Sequence, residues 1–335
     1  MPTPRARGLA LLALAVLVAA LAPGVRARSS GRVPTVGVLT AGPAAGRIAV
    51  ESRAAFEAGL REAGWAPGQS IAIEYRYAEG RPERLEGLAR ELTAFPVDVL
   101  VARSTPAIGA ARRATATIPI VMSGSGHDPV HLGFVASLGR PGGNVTGLSL
   151  LNQELPAKQL ELLKELDPRV SRVAVLGSRA FALPDAARRR LEAAARALGV
   201  ELHTVDLDDA ADVDEAFARM ARAGANGVLV RSDPFVLEPR QPQVVALAAK
   251  HRLPAVYWLD TYVDAGGLVS YGADLPAVHK RSAYFVDRLL RGARAAELPV
   301  EEPSTLSLVV HLKTARALGL AIPPGVLART TRVVQ

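Results

Sequence analysis

The chain has 335 residues, with 40 Lys and Arg against 32 Asp and Glu, and it contains no cysteine. The lack of cysteine excludes disulfides, thiolate metal sites, a cysteine nucleophile and a lipid anchor on an N-terminal cysteine. The net charge of +8 would suit a nucleic-acid partner, but basic residues are interleaved with acidic ones along the predicted helices and aromatic residues are only 4% of the chain. We therefore expect no nucleic-acid partner.

The first 27 residues have the pattern of a secretory signal peptide. Arg5 and Arg7 precede an apolar run at residues 8–22, which is too short and too rich in alanine for a good membrane span. We expect cleavage after Ala22 or Ala27 and a mature protein in the periplasm. An uncleaved membrane anchor is the alternative.

Apolar runs alternate with amphipathic segments in the first half of the mature chain. The patterns predict strands at 33–39, 71–77, 97–102 and 118–122, and helices at 48–63, 82–95 and 106–114. This βαβαβαβ order predicts a parallel sheet that is covered by helices on both faces.

A glycine cluster follows in the segment ASLGRPGGNVTGLS, residues 136–149. No strand and helix frame the glycines as a phosphate cradle requires, whereas Gly142 and Gly143 permit a sharp reversal of the chain. We predict that residues 144–150 form the first hinge strand between two lobes, with a plain surface turn as the alternative. The predicted hinge residues of this strand are Asn144, Val145, Thr146 and Gly147.

The strand and helix order then recurs. Strands are predicted at 172–176, 200–205, 227–230 and 254–258, and helices at 184–198, 213–223 and 242–251. The match of VLVARSTP (99–106) to VLVRSDP (228–234), and of TIPIVM (117–122) to RLPAVY (252–257), favours two lobes built alike, with chance similarity of parallel strands as the alternative.

The last part of the chain is too short for a third lobe. A strand at 267–271, a helix at 275–290, a strand at 306–310 and a helix at 312–318 are predicted there. We interpret them as elements returned to the two lobes across the hinge. Residues 268–272, with Ser270 and Gly272, are predicted to pair with residues 144–150, and the hinge drawn in this way requires those segments to be close.

The predicted fold class is therefore α/β, with two doubly wound parallel-sheet lobes joined by a three-segment hinge. We assign residues 33–147 and 271–303 to lobe 1, and residues 148–270 and 304–335 to lobe 2. Ligands of such sheets bind outside the carboxyl ends of the strands. Ser104 and Thr105, directly before a helix, suit a ligand carboxylate, and Asp233 suits an ammonium or hydroxyl group, with plain helix capping as the alternative.

Signatures of enzymes and metal sites are absent from the sequence. Residues 42–47 do not form a P-loop, no GxSxG elbow occurs, and Pro129 breaks the HExxH-like sequence from His127 to His131. We expect no enzyme, metal or cofactor. One rival hypothesis is an exported hydrolase, which requires a histidine within reach of a serine in the cleft, with His127 near Ser123 or Ser125. The other is a ligand sensor that reports to a membrane receptor.

Five segments of the chain resemble the solute-binding proteins of ABC transporters, specifically the tryptophan/tyrosine type. They lie at residues 118–130, 132–149, 158–176, 253–275 and 298–324. The resemblance implies the type I periplasmic-binding-protein fold, a small polar solute in the inter-lobe cleft, and delivery to an ABC permease of the inner membrane. It suggests an aromatic amino acid as the solute, and we expect a monomer.

The resemblance also implies which residues contact the solute. They are Thr40, Ser104, Thr105 and Asp128 from the first lobe, Ser178, Asp233 and Tyr257 from the second, and Tyr271 on a crossover. The loop at 177–179 departs from the aromatic, Asn and Pro that the family often has there. Arg179 in this loop either clamps a carboxylate or is exposed to solvent.

Overall fold

The computed structural model describes residues 32–150, 153–208, 212–233, 236–303 and 306–335. The predicted signal peptide, residues 1–27, lies outside the described residues. No helix in the described part of the chain is both long and apolar enough to span a membrane.

The first lobe is built on a five-stranded parallel sheet with the order β2-β1-β3-β4-β5. Its strands are β1 (Thr35–Thr40), β2 (Ala72–Tyr77), β3 (Val99–Arg103), β4 (Ile120–Ser125) and β5 (Val145–Ser149). The helices between them are α1 (Arg47–Glu62), α2 (Leu85–Ala94), which follows a 3-10 turn at Pro82–Arg84, and α3 (Thr105–Ala114).

Apolar side chains cover both faces of this sheet. Leu39 and Leu100 pack on one face with Ile108 of α3, and Val38 packs on the other face with Phe56 of α1. All residues of β3 and β4 are buried, which explains the apolar runs at residues 99–102 and 120–122 in the sequence.

The second lobe is built on a seven-stranded sheet with the order β12-β11-β10-β9-β8-β6-β7. Its strands are β6 (Arg172–Ser178), β7 (Glu201–Leu207), β8 (Gly227–Val230), β9 (Ala255–Tyr257), β10 (Val269–Ala273), β11 (Leu306–His311) and β12 (Arg332–Val334). All neighbours are parallel except β10 and β11.

The helices of the second lobe begin with α4 (Leu155–Leu166), which the sequence patterns did not predict. The others are α5 (Asp185–Leu198), α6 (Val213–Arg222), α7 (Gln241–Lys250), α8 (Asp260–Asp264), α10 (Leu312–Ala317) and α11 (Pro324–Arg329). Helix α9 (Leu275–Leu290) instead returns to the first lobe, where Phe285 packs in the same core as Phe56 of α1. The two-lobed α/β fold class predicted from the sequence is confirmed.

The chain passes between the two sheets three times: between β5 and α4, between β10 and α9, and between Glu301 and β11. Glu301 still belongs to the edge of the first sheet, because its backbone N–H donates to Gly147 O and its carbonyl accepts from Ser149 N. The last described residue before the third passage is Pro303.

The hinge predicted from the glycine cluster is wrong in its pairing. Val145, Thr146 and Gly147 lie inside β5 and pair with β4, and the Asn144 amide donates to the carbonyls of Thr115 and Ile118 in the same lobe. Residues 144–150 are therefore mainly the fifth strand of the first sheet, since β4 offers them an open parallel edge.

The other half of the predicted pair lies in the second sheet. Ser270 and Gly272 are inside β10, between β9 and β11. Tyr271 is also part of this strand, although the sequence assigned residues from 271 onward to the first lobe. An extended apolar segment fits a hinge and a sheet equally well, and here β5 joins the edge of the first sheet while β10 lies inside the second.

Gly147 provides a test of the β5 assignment. Its φ of +119° is in the left-handed region, and a β-carbon there would overlap the backbone of Met122 on β4. We expect Gly147→Ala to lower the free energy of unfolding by about 2–4 kcal/mol, because strain and overlap add. Urea denaturation measures the loss.

Gly143→Ala is the matched control, since a β-carbon at Gly143 meets nothing within 4 Å. It should change the free energy of unfolding by less than about 0.5 kcal/mol. Equal effects of the two substitutions would contradict the assignment of Gly147 to a buried strand.

Candidate functional site

A cavity of about 700 Å³ lies between the two lobes. Its walls are the carboxyl ends of β1, β3 and β4 from the first lobe and the segments that follow β6, β8 and β9 from the second. The strands of both sheets end at one cleft, which brings these loops together. Ligands of open parallel sheets usually bind at this position.

Arg103, the last residue of β3, is the main positive group that lines this cavity from inside the first lobe. It is only 5% exposed, and its Nη2 donates to Ser52 O at 3.3 Å while its guanidinium carbon lies 5.8 Å from the ring centre of Phe56. Among the described residues Nε has no hydrogen-bond partner and no carboxylate pairs with the guanidinium. Burial lowers the pKa of Arg103. A buried cation without a counter-ion is unfavourable, so this site suits an anionic group of a ligand.

Two residues with hydroxyl groups line the cavity next to Arg103: Thr40 pairs with it between β1 and β3, and Ser104 follows it in the chain. Thr40 Oγ1 and Ser104 Oγ are buried and lack hydrogen-bond partners within the described part of the chain. Ser104 has a φ of 89°, an unusual conformation for a residue with a side chain, at the N-terminus of α3. We call Thr40, Arg103 and Ser104 the basic end of the cavity. Thr105 also lines the cavity, but its Oγ1 accepts from Gly126 N at 3.1 Å.

The second lobe presents an acidic end to the cavity, formed by Asp233 and Glu238. Glu238 lines the cavity from a short 3-10 turn at Glu238–Arg240. Asp233 lies behind it, fully buried, and accepts from Val236 N at 2.7 Å. Burial, and then the nearby carboxylate of Asp233, raise the pKa of Glu238 to about 8. At neutral pH this pKa favours the protonated form of Glu238.

An arginine beside the acidic end is already neutralised. Arg231 contacts the carboxylate of Asp206 through Nη2, and its Nη1 donates to Phe181 O at 2.7 Å. A β-carbon on Gly177 would overlap this guanidinium, so glycine at 177 makes room for it. Arg231 thus holds the loop of Phe181 against the cavity.

Apolar side chains form the rest of the surface, which we call the apolar wall. It consists of Ile48, Phe181, Leu183, Trp258 and Leu275. The Phe181 ring centre lies 5.5 Å from that of His127, which belongs to the other lobe. Trp258 Nε1 is buried and has no partner among the described residues. The wall suits a large apolar or aromatic group, and the indole N–H offers a donor to its polar edge.

A buried serine–histidine pair also reaches the cavity. His279 Nδ1 on α9 lies 2.7 Å from Ser123 Oγ, which lies 2.7 Å from Ser282 Oγ. The histidine that the hydrolase hypothesis names, His127, contacts Thr105 instead, and its carbonyl accepts from Ser125 Oγ. Burial, and then the charge of Arg103, hold the pKa of His279 well below its usual range. A histidine that resists protonation is a poor general base, and the Ser123 hydroxyl lies between His279 and Ser282.

Five of the predicted solute contacts do not line the cavity: Asp233, which lies behind Glu238, and Asp128, Ser178, Tyr257 and Tyr271. Asp128 caps its own turn, accepting from Val130 N at 2.8 Å. Ser178 is buried at the end of β6, and Tyr257 is buried in the core, stacked on Tyr262 at 4.8 Å. Tyr271 packs against the hydrophobic core on the face of the second sheet that contains Leu163 of α4. Residues alternate between the two faces of a strand, which sends Tyr257 inward and leaves its neighbour Trp258 at the cavity.

Arg179 also lies apart from the cavity. It is exposed, and its Nε donates to the Asp208 carboxylate at 2.7 Å. Of the two alternatives for Arg179, a carboxylate clamp or exposure to solvent, the structure therefore agrees with exposure to solvent.

A family model described as ABC transporter substrate binding protein matches residues 42–334. The chain belongs to this family. A curated tyrosine-binding protein of Clostridioides difficile (strain R20291) is 25% identical over 271 residues, which cover 81% of this chain and 77% of that protein.

Two solved structures are similar over 90% of this chain and 100% of theirs. An ABC domain from Streptococcus pneumoniae in complex with L-Trp has a TM-score of 0.83 at 26% identity, and a conserved domain protein from Vibrio cholerae has a TM-score of 0.82 at 28% identity. The family resemblance drawn from the sequence is confirmed. An ABC transporter substrate-binding protein is not an enzyme; it takes a small-molecule ligand and has a transporter permease as partner.

The buried His279 makes the stability of this ABC transporter substrate-binding protein sensitive to acid. Its folded pKa is depressed, so unfolding takes up a proton once the pH falls below about 6.5, the usual pKa of histidine. Its contribution is present above that pH and is lost on acidification, by at most about 1.4 kcal/mol per pH unit. We expect the free energy of unfolding to fall less between pH 7.5 and pH 5 in His279→Asn than in the unsubstituted protein. Urea denaturation at each pH measures this difference.

His203→Asn is the control for this test, because His203 is exposed on β7. It should leave the acid slope as steep as in the unsubstituted protein. A slope that His279→Asn does not change would show that other groups cause the acid sensitivity.

Proposed function

We propose that the protein captures an amino acid with an aromatic side chain between its two lobes and delivers it to an ABC permease. The observation that carries this proposal is Arg103, a buried guanidinium that faces the cavity without a carboxylate partner in the described part of the chain. A solute carboxylate supplies the missing charge there.

The basic end matches a carboxylate in its donors as well as in its charge. Arg103 offers Nε, while Thr40 and Ser104 offer hydroxyl groups that have no other partner among the described residues. The N-terminus of α3 begins directly after Ser104, and its backbone dipole favours an anion. Charge-assisted hydrogen bonds of this kind are the strong ones in binding sites.

The apolar wall supports an aromatic side chain on the same solute. Phe181 and Trp258 offer aromatic surface from the second lobe, and Trp258 Nε1 is free to donate to a hydroxyl group. The similar C. difficile protein binds tyrosine, and the similar S. pneumoniae structure contains L-Trp. Both ligands combine a carboxylate, an ammonium group and an aromatic ring.

Contacts between the lobes support capture by closure of a hinge. Arg47 of the first lobe lies 3.0 Å from Asp260 and 2.7 Å from Asp264, both on α8 of the second lobe. Ile48 packs against the core of the second lobe. Because each lobe supplies a different part of the cavity, a solute satisfies both only when the lobes are together, and binding shifts the equilibrium toward the closed form.

The remaining parts of the proposal concern the cellular setting. The signal-peptide pattern at residues 1–27 supports export to the periplasm. We infer that the closed protein docks as a monomer on a permease of the inner membrane, as an importer requires.

Arg103→Met tests the carboxylate site. We expect its Kd for L-tyrosine or L-tryptophan to rise by at least about thirtyfold, because a loss of about 2–5 kcal/mol is typical when one member of a buried charge pair is removed. The solute-free variant should unfold at the same or a higher temperature, since it no longer buries an unpaired charge. Isothermal titration and thermal unfolding measure the two effects.

Arg90→Met on the exposed face of α2 is the matched control and should bind like the unsubstituted protein. Unchanged affinity in Arg103→Met would remove the main support for the proposed function. A variant that binds weakly only because it is unfolded would be recognised by its unfolding temperature.

Arg47→Ala tests the closure. We expect the dissociation rate of L-tyrosine to rise about three- to tenfold, because partly exposed ion-pair networks contribute modestly to stability. In the unsubstituted protein this rate should rise with salt, and the substitution should reduce that dependence. Stopped-flow fluorescence measures both.

Arg61→Ala is the control, since Arg61 pairs with Glu57 on its own helix and does not reach the second lobe. It should leave the dissociation rate unchanged. A dissociation rate that Arg47→Ala also leaves unchanged would mean that these ion pairs do not hold the lobes together.

A further inference from the structure

We propose that Glu238 recognises the ammonium group of the solute and releases a proton when the solute binds, so that capture depends on pH. This inference rests on the proposed function, since it concerns the other end of the same cavity. It makes Glu238 the residue that selects amines over their deaminated analogues.

The position of Glu238 leaves its carboxyl group available to a ligand. The side chain lines the cavity and makes no hydrogen bond or ion pair with another described residue, whereas its backbone N–H donates to Asp233 O at 3.0 Å. Asp233 differs, because its carboxylate already accepts from Val236 N. Glu238 is thus the carboxyl group of the acidic end that reaches the cavity.

The described groups around Glu238 supply no free positive charge. From the end of β8, Arg231 is held by Asp206, and from the same segment Asp233 adds negative charge. From α8, Tyr262 is buried with a hydroxyl that has no partner among the described residues. The remaining charged and titratable groups at the cavity are Arg47, Glu79, Arg103, His127, Asp264 and His279.

Arg47 and His127 do not offer a free positive charge to Glu238. Arg47 pairs with Asp260 and Asp264, and burial lowers the pKa of His127. Arg103 belongs to the basic end in the other lobe. An ammonium group therefore meets the Glu238 carboxyl group, which pairs with no cation among the described residues.

Burial and Asp233 raise the pKa of Glu238 to about 8, so that the empty protein carries a proton there at pH 7. A cation beside the carboxyl group favours its ionised form. The neutral carboxylic acid and the solute ammonium become a carboxylate–ammonium pair, and the proton of the acid passes to the solvent. Three N–H donors of the ammonium group replace that one proton in the site.

The test is isothermal titration of the full mature chain with L-tyrosine and L-tryptophan at pH 7, in two buffers of different ionisation enthalpy. We expect close to one proton released per solute. The affinity should rise as the pH approaches 8, by at most about tenfold per pH unit. Their deaminated analogues, 3-(4-hydroxyphenyl)propionate and indole-3-propionate, should bind more weakly and release no proton.

Glu238→Gln keeps the size and a neutral amide in place of the protonated acid. It should abolish the proton release and weaken binding of the two amino acids about tenfold or more, as expected for a lost hydrogen bond to a charged group. Binding of the deaminated analogues should change little. Glu161→Gln, at an exposed position on α4, is the matched control and should behave like the unsubstituted protein.

A second measurement needs no solute. A carboxyl group whose folded pKa lies above its unfolded value stabilises the fold least at high pH, so stability should fall between about pH 4.5 and 8. Glu238→Gln should remove this part of the decline in urea denaturation. The same decline in both proteins would overturn the protonated state of Glu238.

The outcomes separate this inference from the proposed function. Amino acids that bind without proton release, or analogues that bind as tightly as the amino acids, would overturn the role of Glu238 and leave capture in the cleft intact. Failure of all four compounds to bind would overturn the proposed function and this inference together.

Discussion

The organisation of the cleft depends on one unfavourable interaction, the burial of the Arg103 guanidinium without a carboxylate partner in the described part of the chain. A protein selected for stability alone would replace such a group with an apolar side chain of similar volume. Here the surroundings keep it in place: Ser52 O accepts a hydrogen bond and Phe56 lies beneath the cation. They hold its position without neutralising its charge, and in the proposed function that charge pairs with the solute carboxylate.

The parallel sheets determine what else meets this charge. Each sheet ends its strands at the cleft, so short loops from distant parts of the sequence converge there. His279 illustrates the result, because α9 returns from the second lobe to place it against Ser123, 156 residues earlier in the chain. The return of α9 packs the back of the first sheet and also closes the floor of the cavity. Helix α9 therefore contributes both to the stability of the first lobe and to the shape of the cavity.

Sequence patterns predicted most strands and helices within a few residues, because buried parallel strands and amphipathic helices have distinct periods. The failures have physical causes. Residues 144–150 read as a hinge because an extended segment does not reveal which sheet edge it joins. Tyr257 was implied by the family resemblance, but alternation along β9 turns it into the core and leaves Trp258 at the cavity. Arg103 and Glu238 were not predicted as site residues. They are candidates because no described residue of opposite charge pairs with them, and only the folded chain shows this.

Each lobe contributes to the cavity one ionisable group that lacks a partner of opposite charge among the described residues. The first buries a cation that lacks an anion, and the second buries a carboxyl group that lacks a cation and therefore holds its proton. Arg103 and Glu238 belong to different lobes and line the same cavity, and no ion pair joins them in the described part of the chain. Under the proposed function, a molecule that carries both charges pairs with both groups at once, and only while the lobes are closed. Specificity for a zwitterion and preference for the closed form would then follow from the same two groups, and the apolar wall would select among zwitterions by the size and character of their side chain.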